Sequence, residues 1–129
     1  MNKEGVEMKR ELYEVKDEIL ILYLPEELDH DSAGEIRRET EYLFTCKKIR
    51  NVIFDYSNTC FMDSSGIGLV MGRYREVRYL KGNVYIVGVN SKIERILEIS
   101  GLYRVAKKEA DREGAICRIR EEVSKRNPF

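Results

Sequence analysis

The chain has 129 residues, 43% hydrophobic and 36% charged, which is the profile of one globular domain able to fold without disulfides or a structural metal. Its 23 lysines and arginines balance 23 aspartates and glutamates. That balance excludes the basic field of a general nucleic-acid binder and any net attraction to acidic membranes. Cys46, Cys60 and Cys117 are odd in number and widely spaced, which suits reduced, packed thiols rather than a disulfide framework. The first eighteen residues lack the apolar core of a signal peptide. The longest apolar run, Ile19 to Pro25, is far too short to span a bilayer. A cytoplasmic protein is expected.

Leu12-Tyr13-Glu14-Val15 alternates weakly, Lys16-Asp17 reads as a turn, and Ile19–Leu24 is a continuous β-rich run ended by Pro25. The pair predicts an antiparallel hairpin whose second strand is buried on both faces. Ala33, Ile36, Thr40, Leu43, Phe44 and Lys47 then fall at helical spacing, with Asp29, Asp31 or Ser32 as the candidate N-cap. Asn51–Tyr56 is a third strand. Ile67, Val70, Met71, Tyr74 and Val77 form a second helical stripe, broken at Lys81-Gly82-Asn83. Val84–Val89 is a fourth strand, and Ser91 is placed to cap a short helix with Ile93, Ile96 and Leu97 inward. Ser100-Gly101 ends that helix, Leu102–Val105 reads as a short strand or extended segment, and Ala115, Ile116, Ile119 and Val123 predict a last helix with a frayed tail at 125–129.

The alternation of strands and helices predicts an α/β fold: one mixed, mostly parallel sheet of four to five strands with about four helices. Residues 1–10 are expected as an extension, 11–115 as the domain, and 116–129 as a C-terminal helix and tail on or trailing it. In such sheets functional loops lie beyond the carboxyl ends of the strands. The stretch Phe61-Met62-Asp63-Ser64-Ser65-Gly66-Ile67-Gly68 falls at one of those ends.

Several chemistries compete for that stretch. Gly66-Ile67-Gly68 starts a dinucleotide fingerprint, but the sixth position is Met71 and the following strand ends without the required acid. A nucleophile elbow needs G-x-S-x-G, and Met62 and Asp63 stand two before Ser64 and Ser65. The only histidine, His30, reads as a solvated surface side chain. Asp29-His30-Asp31-Ser32-Ala33-Gly34 starts like a calcium loop, but Ala33 and Thr40 stand where ligands are needed. Cysteine and histidine spacing fits no metal site. Ser64, where a strand-to-helix loop meets a helix N-terminus, is either a plain N-cap serine or an exposed hydroxyl open to phosphorylation. A phosphate there adds about −1.5 to −2 charges that the helix N-terminus tolerates.

Three segments together carry a resemblance. Phe61 to Tyr74, "FMDSSGIGLVMGRY", is similar to the signature of bacterial anti-sigma factor antagonists, the STAS domain type. Glu27 to Ala33, "ELDHDSA", resembles that family's G-E-L-D segment, and "VNSKIERILEISGLYRV" at 89–105 resembles its region leading to S-G-L-[FY]. Within the family the resemblance is to the stage II sporulation antagonists of spore-forming bacteria. It implies a regulatory protein rather than an enzyme, with no cofactor and no metal, monomeric when free.

The resemblance further implies that the unphosphorylated form binds an anti-sigma factor that is also a serine kinase, releasing a sigma factor. Phosphorylation of Ser64 ends the binding, and a phosphatase of the PP2C type restores it. Asp29 matches the family's aspartate beside the phosphosite, with Asp31 and Ser32 next to it. Met62, Asp63, Ser65 and Gly66 flank Ser64 as expected partner contacts, and Ile67 is expected in the core. The family's glycine before E-L-D is replaced by Glu26, preceded by Pro25. A stress-response antagonist, or a module of the same fold that binds a nucleotide or small ligand, are the alternative readings.

Overall fold

A computed structural model of the protein describes residues 12–126. In chain order its elements are β1 (Tyr13–Lys16), β2 (Ile19–Tyr23), β3 (Glu27–Leu28), α1 (His30–Cys46), β4 (Asn51–Asp55), β5 (Phe61–Met62), α2 (Ser64–Val77), β6 (Val84–Val87), α3 (Ser91–Ser100), β7 (Ala106–Glu109) and α4 (Arg112–Arg126). Two short 3-10 turns, Arg78–Leu80 and Leu102–Arg104, follow α2 and α3.

The five longer strands form one mixed sheet in the order β1-β2-β4-β6-β7. The expected hairpin is present: β1 runs antiparallel to β2, with Tyr13 opposite Leu22 and Lys16 opposite Ile19. The remaining pairs are parallel, aligning Ile21 with Ile53, Phe54 with Ile86, and Ile86 with Lys108.

Strand alternation divides the core in two. Leu20 and Leu22, Val52 and Phe54, and Val84 and Ile86 face one side, where Ala33, Ile36 and Leu43 of α1, Leu69, Val70 and Val77 of α2, and Ile93 and Leu97 of α3 cover them. Ile19, Ile21, Ile53, Tyr85 and Val87 face the other side, against Ala115 and Ile119 of α4. The central strands are therefore apolar at nearly every position. Each fully buried side chain of this size contributes about 1.5–3 kcal/mol. Polar contacts fix α4 at the other end: the Arg112 guanidinium donates to the Tyr23 hydroxyl, which donates to Glu14 Oε1 at 2.8 Å.

Several expectations need correction. Leu102–Val105 is not a strand. Leu102–Arg104 turns as a 3-10 helix after Gly101, whose φ of 79° ends α3, and the strand lies at Ala106–Glu109. That strand is an edge, half exposed and lysine-bearing, so it lacks the apolar pattern of the central ones. The N-cap of α3 is Asn90, not Ser91: its side chain accepts from the Ile93 amide at 2.8 Å. The fourth strand stops at Val87 because Gly88, at φ 73°, turns the chain out of the ladder. The three cysteines are free but exposed rather than packed. Cys46 ends α1, Cys60 sits in the loop before β5, and Cys117 is on the outward face of α4. The tail expected to fray from 125 is helical at Lys125 and Arg126, the last residues of α4; the expectations for residues 1–11 and 127–129 lie outside the described residues. Among those described, no helix is long and apolar enough to cross a membrane.

Candidate functional site

The site is built on a two-stranded ladder absent from the sequence reading. β3 and β5 pair in parallel, Glu27 with Phe61 and Leu28 with Met62. Leu28 and Met62 are buried, and Glu27 and Phe61 face out. The Cys60 and Phe61 amides both donate to the Glu26 carbonyl, at 2.8 and 3.1 Å, and the Asp63 amide donates to the Leu28 carbonyl at 3.1 Å. Thr59 Oγ1 donates to the Pro25 carbonyl at 2.9 Å, and Asn90 Nδ2 donates to the Thr59 carbonyl at 3.0 Å.

Each strand of the ladder runs straight into an aspartate that caps a helix. Asp29 (φ −115°, ψ −170°) precedes α1 and Asp63 (φ −107°, ψ −172°) precedes α2. Asp29 Oδ1 accepts from the Ser32 amide at 3.0 Å, while the Asp29 amide donates to Ser32 Oγ at 2.9 Å, a reciprocal capping box. Asp63 Oδ1 accepts from the Ser65 amide at 2.8 Å. The ladder thus sets two helix N-termini side by side. Bonds from the Ser32 amide and hydroxyl hold the Asp29 carboxyl below its ordinary range.

The two helices are locked further along by Arg73 of α2, which is 3% exposed. Its guanidinium donates to the Arg37 carbonyl at 2.9 Å, Thr40 Oγ1 at 3.0 Å and Glu76 Oε1 at 2.6 Å. It also lies 4.6 Å from the centre of the Phe44 ring. A planar fork of donors suits this bridging position, where an ammonium reaches fewer partners.

Ser64 is the first residue of α2 and is exposed. It is not the N-cap, because Asp63 takes that position. Among the described residues no hydrogen bond engages its hydroxyl. Asp31 is exposed, and Asp63, Ser65 and Asp29 are half-buried along the same seam.

Three expected contacts have other work. Ser32 is half-buried and its hydroxyl donates to the Glu27 carbonyl at 2.9 Å within the cap. Met62 and Gly66 are buried and form the floor of the site, not its surface. Ile67 is half-buried against the core. Phe61, which is exposed, was not among the expected contacts; two adjacent apolar residues in a two-residue strand carry no pattern that tells outward from inward.

The competing chemistries can be read in the same geometry. Gly66 lies against Met62 and opens no cradle for a phosphate, and the chain enters α2 without a glycine-rich loop. Ser65 Oγ lies 3.5 Å from Nδ1 of exposed His30, at the limit of hydrogen bonding, and no described carboxylate orients that imidazole. No described group of three or more histidines, cysteines or acids is placed to hold a metal.

Comparison with known proteins places this architecture. A family profile for the STAS domain matches residues 12–115. The anti-sigma F factor antagonist of Paenibacillus polymyxa is 31% identical over 87 residues, covering 67% of this chain and 74% of that protein. The anti-sigma F factor antagonist of Lysinibacillus sphaericus is 31% identical over 95 residues, covering 74% of this chain and 81% of that protein. The structure of the anti-sigma factor antagonist SpoIIAA in its unphosphorylated form superimposes with a TM-score of 0.76 at 29% identity, covering 84% of this chain and 95% of that one. The Bacillus cell fate determinant SpoIIAA in its phosphorylated form gives a TM-score of 0.67 at 30% identity, covering 83% and 96%. With the family profile spanning the sheet, both capped helices and the seam between them, the chain belongs to the STAS domain family.

Proposed function

We propose that this protein is an anti-sigma factor antagonist switched by phosphorylation of Ser64. The observation that carries the reading is the placement of Ser64: an exposed, unengaged hydroxyl on the first turn of α2, at the seam of two capped helix N-termini. The relatives named anti-sigma F factor antagonist and the SpoIIAA structures support the same role. The matching anti-sigma F relatives span more of the chain than the 41% aligned with an anti-sigma-B factor antagonist of Staphylococcus aureus, which favours a sporulation circuit over a stress circuit.

In this reading the unphosphorylated seam docks on an anti-sigma factor serine kinase in the cytoplasm and frees its sigma factor. The kinase supplies ATP. Ser64 Oγ bonds to the γ-phosphorus, the bond from that phosphorus to the bridging oxygen of ADP breaks, and the hydroxyl proton passes to a base of the kinase. Asp29, Asp31, Asp63 and Ser65 line the docking surface around it, while Met62, Gly66 and Ser32 hold its shape. A PP2C-type phosphatase then hydrolyses the phosphoester: the oxygen of water bonds to phosphorus, the bond from phosphorus to Ser64 Oγ breaks, inorganic phosphate leaves, and Oγ regains its proton.

Energetics support a switch at this position. Moving a complex from almost fully formed to almost fully dissociated takes about 5.5 kcal/mol of differential binding. Enclosing a dianion in an interface costs several kcal/mol of desolvation. The helix N-terminus accommodates the phosphate in the free protein, so modification leaves the fold intact.

The test is incubation with the anti-sigma serine kinase encoded by the same genome and ATP, followed by intact mass and fragment mapping. One phosphoryl group on Ser64 is expected. No added phosphoryl, or one placed on another residue, overturns the assignment. Heat from ATP, ADP or GTP binding to the isolated protein favours a nucleotide-binding module instead.

A further inference from the structure

Phe61 stands apart from the rest of the seam. It is a large apolar side chain, 46% exposed, three residues before Ser64. The ladder decides its direction: Met62 and Leu28 point into the core, so Phe61 and its cross-strand neighbour Glu27 face out. Its backbone is held by the Glu26 carbonyl, which accepts from the Cys60 and Phe61 amides. An aromatic ring on a fixed backbone loses little freedom on docking, which is the character of an interface anchor.

The charge around it selects the partner. Residues 26–35 and 57–68 carry six carboxylates, Glu26, Glu27, Asp29, Asp31, Glu35 and Asp63, and no lysine or arginine; the nearest cations along α1, Arg37 and Arg38, line the same hollow as Asp31 and Glu35. A site that transfers a phosphoryl group from ATP to Ser64 holds the nucleotide's phosphates with cationic groups. The surface that receives Ser64 is therefore basic where this one is acidic.

Resting on the reading of Ser64 as a kinase substrate, we propose that Phe61 is the apolar anchor of the docking face. Its ring fills a hydrophobic pocket on the anti-sigma kinase, and Glu26, Glu27 and Asp31 form an acidic rim against cationic side chains. Ile99, 76% exposed on α3, serves as the comparison, since isolated apolar residues on a surface are ordinary.

The experiment measures binding of full-length wild type, Phe61→Ala, Phe61→Leu and Ile99→Ala to the anti-sigma serine kinase of the same genome, by calorimetry with ADP in place of ATP. Phosphorylation kinetics and thermal midpoints are recorded alongside. Phe61→Ala is expected to weaken binding about 30-fold, Phe61→Leu by less, and Ile99→Ala not at all. With ATP, Phe61→Ala raises KM while the phosphoryl group still maps to Ser64. Thermal midpoints stay near wild type because the ring faces solvent; if Phe61→Ala does unfold, Phe61→Leu supplies the comparison. Phe61 variants that bind like wild type, or an equal loss in Ile99→Ala, overturn the anchor and leave the Ser64 assignment standing. Wild type that neither binds the kinase nor gains phosphate on Ser64 overturns both.

Discussion

Gly66 lies against the Met62 side chain with no room between them. A Cβ at residue 66 would stand 2.5 Å from Met62 Cγ, 2.6 Å from its Sδ and 3.0 Å from Leu28 Cδ2. Replacing a helical glycine by alanine ordinarily gains about 0.5–1 kcal/mol, whereas overpacking a filled site costs about 1–3 kcal/mol. The clash wins because Met62 and Leu28 are themselves the paired, buried positions of the ladder. Gly66→Ala is therefore expected to destabilise the protein by about 1–2 kcal/mol net, read as a lower urea midpoint. It should also shift β5 and weaken docking.

Arg73→Met tests the lock between α1 and α2. The variant keeps much of the apolar stem but strips donors from the Arg37 carbonyl and Thr40 Oγ1. Glu76 and Glu41 are 36% and 59% exposed, so water re-solvates them and no buried charge is stranded. The expected loss is about 2–3 kcal/mol by chemical denaturation, dominated by the buried Thr40 hydroxyl and the part-buried Arg37 carbonyl. Arg73→Lys should fall between the two proteins because an ammonium cannot span both acceptors.

The Asp29 cap makes a contribution that depends on pH. Its carboxyl titrates below the ordinary 3.8 in the folded protein, chiefly because the Ser32 amide and hydroxyl bond the charged form. The stabilisation is therefore complete above the unfolded value of 3.8 and is lost as pH falls through the lower folded value. Asp29→Asn keeps a capping oxygen without the charge. Urea midpoints of the two proteins should differ at pH 7 and converge toward pH 3. A constant gap across that range contradicts the assignment.

Ser64 separates binding from folding. Its hydroxyl is exposed and, among the described residues, unengaged, so Ser64→Ala is expected to change stability by less than about 0.5 kcal/mol. Ser64→Asp places a charge on the first helical turn, where the helix dipole favours it by about 0.3–1 kcal/mol. Both variants should fold like wild type. Ser64→Ala should keep its affinity for the kinase and resist release by ATP, while Ser64→Asp should bind at least about 10-fold more weakly. Equal binding by the two rules out charge as the switch.

Tyr56 offers a stabilising change in the core. It is fully buried and its hydroxyl has no hydrogen-bond partner among the described residues. Burial raises its pKa above the ordinary 10.0. Tyr56→Phe keeps the ring and removes an unsatisfied polar atom, so stability at pH 7 should be unchanged or rise by up to about 1 kcal/mol. The neutral phenol's contribution is complete below pH 10 and declines as pH rises through the raised folded value, so the variant should resist alkaline unfolding better than wild type.

Much of this protein is decided locally, along the chain. Ile19–Tyr23, Asn51–Asp55 and Val84–Val87 are apolar at nearly every position because helices cover both faces of the sheet there, and that leaves an unbroken run in the sequence. The stripes of α1 and α2 show their helical period for the same reason, and the acid-serine-serine-glycine segment marks a capped helix start at a strand end. What no local pattern carries is the pairing of Leu28 with Met62, 34 residues apart, which brings Asp29 beside Asp63 and makes one surface of two helix starts. Two-residue strands are too short for a period. Whether a Met or Gly near Ser64 faces solvent or core depends on what packs beneath it. The edge strand Ala106–Glu109, half solvated, is silent for the same reason. Local pattern along the chain is enough for the hairpin, the central strands, the helices and the serine at a strand end. Only the tertiary structure decided which neighbours of that serine reach the surface, because burial is a property of contacts between distant segments.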